Sequence, residues 1–356
     1  DEKMPVNVLV VGSGAIGSLV GNRLARTGHD VTLVGRPGYV EAVRERGVGV
    51  EEGGQRVYAN VRAVAQFNPA SMATAPPDVM LFTMKAYDTA TAAVQVEPLV
   101  RQGVPILVIQ NGVGGEEQAA RALAKREAEP TIFSAVITLS VEVIQPGLVQ
   151  LSTSRGGIGL APIEPGQAVG PLAQIFREAG FRVQEYPDYR ASKWSKLLLN
   201  MLGNASVAIL GWPPDRVFGD ARLFALERTA FCEALTVMGA LGVRPVGLPG
   251  YPVPLLAWAF RALPDRLLRP VLQQIVAGGR GGKMPSLYLD LANRRPRSEV
   301  EFLNGAVVEQ ATRLGIPAPV NEALYTTLTR IVRGEVAWEA YHHRPERLLD
   351  AAGWRT

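Results

Sequence analysis

The start of the chain joins an apolar segment to a glycine pattern that few folds accommodate. Val6–Val11 is an apolar run of strand length in which Asn7 is the one polar residue, and helical spacing follows over Ala15–Thr27. Between them the sequence reads Gly-x-Gly-x-x-Gly, in which the glycines permit a tight turn, close approach of the backbone to a pyrophosphate and close packing of helix on strand. This context favours a dinucleotide-binding loop over a chance glycine turn. The expected cofactor-binding residues of the loop are Gly12, Ser13, Gly14, Ala15, Ile16 and Gly17.

The first half of the chain continues to alternate apolar runs with helical stretches. Asp30–Val34, Asp78–Thr83, Pro105–Gln110 and Ile132–Thr138 are apolar runs of strand length. Strands that are buried on both faces of a parallel sheet have this continuous apolar character. Alternation of strands with helices predicts an α/β fold with a Rossmann-type, doubly wound sheet.

The pattern changes after Pro187, where long helical stretches replace the strands. Helices are predicted over Trp194–Leu210, Asp220–Leu241 and Glu299–Leu314. We therefore expect two domains, a dinucleotide-binding Rossmann-like domain over residues 1–187 and an all-helical domain over residues 188–356.

Composition excludes several classes of protein. The 356 residues carry 37 Lys and Arg against 33 Asp and Glu, a formal charge of +4, and 47% are hydrophobic. One cysteine, Cys232, excludes a disulfide framework and a cysteine-based zinc site within the chain, and three histidines disfavour a histidine-rich metal site. No apolar stretch approaches the roughly 20 residues that span a bilayer, so we expect a cytoplasmic protein. The sequence has no basic motif interleaved with aromatic residues of the kind that indicates nucleic-acid binding.

The end of the second predicted strand bears on the choice between NAD and NADP. Proteins that bind NAD place an acid there for the ribose 2′-hydroxyl, whereas this chain has Val34-Gly35-Arg36. A guanidinium can bind a 2′-phosphate through two hydrogen bonds, and a carboxylate would repel it. Arg36 therefore predicts NADPH/NADP⁺ as the cofactor, against the alternative of a solvated loop charge.

Two polar loops follow apolar strands, at the strand ends where open α/β sheets bind ligands. Lys85 lies in the first loop and is expected to supplement Arg36 at the phosphate. Asn111 lies in the second and could hydrogen-bond the nicotinamide half of the cofactor or the substrate. The alternative for Asn111 is turn chemistry, since Asn-Gly is a common turn pair.

A polar stripe crosses an otherwise apolar helical segment in the second half. Lys196, Asn200 and Asn204 are spaced four residues apart, which puts them on one face of a helix among Leu and Met neighbours. Burial of unsatisfied lysine or amide groups is costly, so the stripe should face a partly wet cleft, where a lysine can act as a proton donor. A solvated helix face is the alternative. Taken singly, Ser286 and Glu299 fit structural roles, with Ser298 capping a helix that starts beside Glu299.

The motifs and polar residues described above occur along the chain in the same order as in the ketopantoate reductase family (2-dehydropantoate 2-reductases), which the sequence resembles. The resemblance covers nearly the whole chain. It implies a Rossmann domain that carries NADPH and a helical domain that closes the cleft. It further implies that Lys196 is the general acid, that Glu299 orients the lysine and the bound cofactor, and that ketoacid is held by Asn111, Asn200, Asn204 and Ser286. The implied reaction is hydride transfer to the C2 carbonyl of a 2-keto acid in pantothenate synthesis. The apolar segment Leu255–Phe260 is open to two interpretations, part of the core or the contact surface of a homodimer.

The sequence departs from the family pattern at several places. Ala205-Ser206 follows Asn204 where a proline is usual, and Pro213-Pro214 replaces a further asparagine. Asp88 stands where an uncharged amide is common near the phosphate, Arg244–Lys283 is longer than the usual connection, and Asp290–Glu299 carries one extra residue. These differences leave open a related reductase acting on another 2-keto or β-keto acid. A non-enzymatic NADP sensor is disfavoured because such a protein need not keep Lys196 and Glu299.

Overall fold

The computed structural model describes residues 4–68, 72, 74–153, 155–280 and 284–354. It forms two compact units, one of Asp1–Lys193 with Leu248–Tyr251 and one of Trp194–Gly247 with Pro252–Thr356. The division falls inside the helix Tyr189–Met201, a short distance beyond the boundary predicted after residue 187.

The first unit contains the strands of the described residues. They are β1 (Asn7–Val11), β2 (Asp30–Val34), β3 (Val48–Glu52), β4 (Gln55–Ala59), β5 (Arg62–Val64), β6 (Val79–Phe82), β7 (Ile106–Val108), β8 (Ile132–Ile137), β9 (Ser140–Gln145), β10 (Leu148–Thr153), β11 (Ile158–Pro162) and β12 (Val183–Glu185). The main sheet has eight strands in the order β12-β11-β8-β7-β6-β1-β2-β5. The six neighbouring strands β8-β7-β6-β1-β2-β5 pair in parallel. Strand β11 is antiparallel to β8. The predicted Rossmann-type sheet is confirmed.

The burial of strand β1 shows why its last four residues are all apolar. Val8 and Val10 belong to one hydrophobic core and Leu9 and Val11 to another, on opposite faces of the sheet. All four side chains are less than a tenth exposed. Because successive side chains of a strand point to opposite faces, a strand covered on both sides needs apolar residues at every position.

The helices of the described residues complete both units. They are α1 (Ala15–Arg26), α2 (Pro37–Arg46), α3 (Thr89–Val100), α4 (Gly115–Ala124), α5 (Gly170–Glu178), α6 (Tyr189–Met201), α7 (Asn204–Leu210), α8 (Pro214–Gly219), α9 (Ala221–Ala240), α10 (Val253–Ala262), α11 (Asp265–Arg280), α12 (Ser286–Ala292), α13 (Asn304–Leu314), α14 (Pro319–Val332) and α15 (Pro345–Ala351). Within the described ranges, none of them combines the length and apolar character that a membrane-spanning helix needs.

A second sheet, which the sequence patterns did not predict, covers the other side of α1. Its order is β4-β3-β10-β9, and β10 pairs in parallel with β3. The buried Asn22 of α1 donates from Nδ2 to the carbonyl oxygens of Val48 and Val57, at 2.7 and 3.0 Å. Helix α1 is therefore fixed on one side by the main sheet and on the other by this smaller one.

The second unit is helical, as predicted. Asp220 caps α9 by accepting hydrogen bonds from the N–H groups of Arg222 and Leu223. The rings of Phe231 on α9 and Phe260 on α10 stack with centroids 4.0 Å apart. The long segment Arg244–Lys283 thus contains two helices, α10 and α11, of which α10 packs on the core of this unit.

Candidate active site

The glycine turn is held by close contacts with the loop that follows β6. Gly12 has a φ of +109°, and a Cβ atom there would lie 2.3 Å from the backbone nitrogen of Met84. A Cβ on Gly17 would lie 2.0 Å from the carbonyl oxygen of Gly12. The Thr83 hydroxyl donates to that same oxygen at 2.5 Å. Glycine is required at both positions because the backbone of one segment occupies the space of a side chain.

Gly14 is different, because nothing occupies the space beside it. It is exposed, it precedes the first turn of α1, and a Cβ built there meets no atom within 4 Å. The first turn, which begins with Ala15 and Ile16, contains no acidic residue. Its N–H groups lack partners within the helix and carry the positive end of the helix dipole. This open cradle fits the pyrophosphate of a dinucleotide, as the spacing predicts.

The loop after β2 packs against the glycine turn. A Cβ on Gly35 would lie 2.1 Å from the Ser13 hydroxyl, so glycine is needed where the two loops meet. Tyr39 and Ser18 hydrogen-bond through their hydroxyls at 3.0 Å. Burial raises the pKa of Tyr39 to about 12, which keeps its hydroxyl neutral. Arg36 itself is exposed and immediately precedes the first residue of α2.

Lys85 and Asn111 follow the neighbouring strands β6 and β7 of the parallel sheet. Lys85 is half-buried and Asn111 is exposed. Between them, the buried Gln110 side chain donates to the carbonyl oxygens of Met84 at 3.1 Å and Lys85 at 3.3 Å. The structure therefore brings the two predicted loops together at one edge of the sheet, and Gln110 connects them.

The helix that carries the polar stripe ends earlier than predicted. Lys196 and Asn200 lie on α6 and are half-buried, but α6 ends at Met201. Gly203 has a φ of +68°, and Asn204 begins the separate helix α7. The prediction of one continuous helix over Trp194–Leu210 is wrong, because a left-handed glycine interrupts the helical hydrogen bonding.

Glu227 stabilises the start of α7, and sequence analysis missed it. The carboxylate is 2% exposed and accepts from the N–H of Gly203 at 2.8 Å and from the Ser206 hydroxyl. A negative charge here also meets the positive end of the α7 dipole. The sequence did contain a signal for this role, because Glu227 is an acidic residue on the apolar face of the predicted helix Asp220–Leu241.

Asn204 and Ser286 are neighbours in the helical unit. The Asn204 side chain is buried, and its Oδ1 accepts from the N–H of Leu287 at 3.2 Å. Ser286 is the first residue of α12 and is exposed beside this contact. Because Oδ1 caps α12, the amide NH₂ group of Asn204 is the part left to donate to a ligand.

Glu299 lies in a short 3-10 helix, Glu299–Phe302, and is 5% exposed. The Ser298 hydroxyl caps this segment by accepting from the N–H of Val300 at 3.2 Å, as predicted for Ser298. The predicted helix Glu299–Leu314 is nevertheless interrupted, because Leu303 has φ −110° and ψ −100°, outside the helical region. The α-helix α13 begins only at Asn304.

Comparison with known proteins matches both units to one family. The model described as "Ketopantoate reductase PanE/ApbA" matches residues 8–165, and its C-terminal counterpart matches residues 188–332. A 2-dehydropantoate 2-reductase of Pyrococcus horikoshii is 28% identical over 90% of this chain and 95% of its own. One of Mesorhizobium japonicum is 27% identical over 92% of this chain and 98% of its own.

Solved structures share the whole architecture. The PanE/ApbA family ketopantoate reductase of Ralstonia eutropha JMP134 has a TM-score of 0.74 and 30% identity, over 92% of this chain and 98% of that one. D-mandelate dehydrogenase, solved with NADH and anilino(oxo)acetate, has a TM-score of 0.76 at 20% identity, over 92% of this chain and 99% of that one. The second likeness concerns the fold alone.

A glycine cradle at the edge of a parallel sheet, in a chain that continues into a helical domain, defines a nicotinamide-dinucleotide-dependent oxidoreductase. The two family models together match most of the residues. The chain belongs to the ketopantoate reductase family.

The contrast between Gly14 and Gly17 gives a matched test of the cradle. Gly14→Ala should leave the melting temperature unchanged, because the added methyl meets open space, yet it should weaken binding of the dinucleotide. We expect a loss of about 1.4 kcal/mol or more, which is tenfold in Kd. Gly17→Ala should lower the melting temperature instead. Calorimetric titration and thermal unfolding measure both, and unchanged binding in Gly14→Ala contradicts the assigned cradle.

Proposed function

We propose that this protein reduces 2-dehydropantoate (ketopantoate) to pantoate with NADPH, a step of pantothenate and hence coenzyme A biosynthesis. The observation that carries the proposal is the match of both family models to a chain that retains Lys196, Asn200, Asn204 and Glu299. The small-molecule partner is a 2-keto acid. The proposed place of the reaction is the cytoplasm.

The proposed cofactor is NADPH, and all the proposed cofactor-binding residues except Glu299 lie in four loops of the first unit. The turn from Gly12 to Gly17 would hold the pyrophosphate, and Arg36 would bind the 2′-phosphate, with Lys85 adding positive charge. Asn111 and Glu299 complete the proposed set. When bound, the cofactor supplies a hydride to the carbonyl carbon of the substrate. The chain's own groups supply binding, orientation and a proton.

Lys196 is the proposed proton donor. Reduction of the C2 carbonyl puts negative charge on its oxygen, and the ammonium group of Lys196 stabilises this charge before giving up a proton to it. The half-buried position of Lys196 on α6 supports this role, because a lysine that is neither fully buried nor fully exposed can meet a bound ligand. The proton returns to the amine from water after the product leaves.

The substrate contacts in the proposal come from amide and hydroxyl groups. Asn200 lies one turn beyond Lys196 on α6, so the two can act on one ligand. The NH₂ group of Asn204 and the hydroxyl of Ser286, which are neighbours, would hold the hydroxyl and carboxylate ends of the ketoacid. Glu299 would act as the counter-ion that orients Lys196. Held in this way, substrate and proton donor need no further ordering before reaction.

A second candidate is reduction of a different 2-keto or β-keto acid. The observation that favours it lies directly after Asn204, where Ala205-Ser206 replaces the usual proline and Ser206 is bound to Glu227. This changes how the start of α7 is held and with it the neighbourhood of the substrate amide. A panel of ketoacids with NADPH distinguishes the candidates by their kcat/KM values.

Loss of the proposed proton donor should abolish turnover without loss of cofactor binding. Lys196→Ala should lower kcat for ketopantoate by about 10²- to 10⁴-fold, the usual contribution of general acid catalysis. The Kd for NADPH should stay within about threefold, less than 1 kcal/mol. Initial-rate kinetics and fluorescence titration measure the two quantities. Full activity in the variant rules out the proposed mechanism, and absence of turnover in the parent protein with every ketoacid rules out the proposed function.

Arg36 should determine the preference for NADPH over NADH. Because a charged hydrogen bond contributes about 1.5–3 kcal/mol, Arg36→Ala should raise the Kd for NADPH by about ten- to hundredfold. The Kd for NADH, which lacks the 2′-phosphate, should change little. Arg46→Ala, at the other end of α2, is the control. Equal losses for both cofactors disprove the assignment.

We also propose that the protein is a homodimer. Five apolar side chains on α10 and α11 are more than half exposed, namely Leu255, Trp258, Leu267, Val271 and Ile275. Those on α11 are spaced four residues apart and form one ridge, which a second copy could cover with the same ridge about a two-fold axis. Light scattering should show a dimer that Val271→Glu dissociates and Leu314→Glu does not. A monomeric parent protein at all concentrations contradicts this.

A further inference from the structure

Lys193 and Glu116 form a buried ion pair in the first unit, next to the loop that follows β7. Lys193 is 3% exposed and Glu116 is 1% exposed, and Nζ of the lysine lies 3.0 Å from Oε1 of the acid. The Ser134 hydroxyl donates to the same oxygen at 2.5 Å. The other carboxylate oxygen, Oε2, is buried and finds no hydrogen-bond partner among the described residues. Glu116 therefore acts chiefly as the counter-charge of Lys193.

Lys193 uses a second hydrogen bond to hold the main chain next to Asn111. Its Nζ donates to the carbonyl oxygen of Gln110 at 2.9 Å. The Gln110 side chain in turn donates to the carbonyl oxygen of Met84 and, at 2.8 Å, to the hydroxyl of Thr89. One buried cation is thus connected to the loop after β7 directly and to the loop after β6 through a single side chain.

Stability alone does not account for this arrangement. Well-packed apolar side chains of similar volume generally stabilise a core at least as well as a buried ion pair does. A buried cation offers what an apolar residue cannot, a fixed and strong donor for one particular carbonyl oxygen. That carbonyl belongs to the peptide that leads into Asn111, and Asn111 and Lys85 stand on the two loops so connected.

We propose that Lys193 is a positioning residue, which with Glu116 fixes the Gln110–Asn111 peptide and, through the Gln110 side chain, the Met84–Lys85 backbone. It touches neither substrate nor cofactor and acts through Asn111 and Lys85. The consequence for turnover rests on the proposed function. The structural part, that removing the pair loosens both loops, stands independently of it.

The test removes both charges together, because either one alone would leave an unpaired buried ion. In the double variant Lys193→Met/Glu116→Gln, hydrogen–deuterium exchange should become faster over residues 83–90 and 108–115. Tyr189→Phe is the matched control. This substitution removes the 2.8 Å hydrogen bond from Tyr189 to Glu117, which also links α6 to α4. It leaves the hydrogen bonds of Gln110 unchanged. Exchange over both segments should be unchanged in this control.

Kinetics then separate positioning from simple loss of folded protein. With ketopantoate, kcat of the double variant should fall about tenfold, equivalent to about 1.4 kcal/mol in the barrier. The Kd for NADPH should rise by less than about threefold, because the loosened loops of Lys85 and Asn111 supply only part of the proposed cofactor contacts, and the glycine cradle and Arg36 are intact. The deuterium isotope effect with C4-deuterated NADPH should rise, since misplaced groups slow hydride transfer itself. If Lys193 and Glu116 served only to stabilise the fold, the double variant would contain less active protein and its isotope effect would be unchanged.

Each outcome decides the proposal. Unchanged exchange over both segments, or an unchanged isotope effect with kcat reduced in proportion to folded protein, overturns it. If the parent protein turns over no ketoacid, the proposed function fails, and the exchange measurement alone decides the positioning role. If the double variant does not fold, Gln110→Leu replaces it, with faster exchange over residues 83–90 expected and unchanged exchange contradicting the proposal.

Discussion

The close approach of three backbone segments around the glycine turn determines how the first unit is built. The carbonyl oxygen of Gly12 accepts the Thr83 hydroxyl and lies against Gly17, so strand β1, helix α1 and the loop after β6 share one point. No side chain fits between them. This contact directs the first turn of α1 toward the edge of the sheet where the other strands end, so the proposed phosphate-binding turn and the polar loops after β6 and β7 lie at the same edge.

In the helical unit, buried polar groups rather than apolar packing decide where helices begin. Glu227 holds the start of α7, and Asn204 holds the start of α12. A third example is Glu233, whose carboxylate accepts from the backbone N–H groups of Val320 and Asn321 at the start of α14, and whose pKa burial raises. Asn204 and Ser286, two of the proposed ketoacid-binding residues, therefore lie at helix starts whose positions are fixed by hydrogen bonds.

Local sequence patterns predicted the helices and strands that adjacent residues specify. They failed where contacts with distant residues determine a helix boundary or a strand pairing. Val6–Val11, the glycine turn and the following helix were predictable because each is specified by adjacent residues. The break at Gly203 was not, since it depends on Glu227, which approaches from another helix. The second sheet was missed because β3 finds its partner β10 about a hundred residues later in the chain. Lys193 lies just before the predicted helix Trp194–Leu210 and was not singled out, because only the fold shows that Glu116, Ser134 and Gln110 surround it. The placements of Lys196 and Glu299 relative to a bound ligand stay predictions.

The smaller sheet has a consequence for the order of events during folding. Helix α1 carries the phosphate-binding turn, yet its outer side is covered by strands that include β10, paired with β3 through Gly49 and Leu148. Contacts between residues so far apart in sequence form late, because a long loop must close before they contribute any stabilisation. Helix α1, which follows the proposed phosphate-binding turn, thus gains its outer cover only after the chain has been synthesised as far as β10. Cofactor affinity would then arise in one late, cooperative step during chain maturation rather than with the first hundred residues.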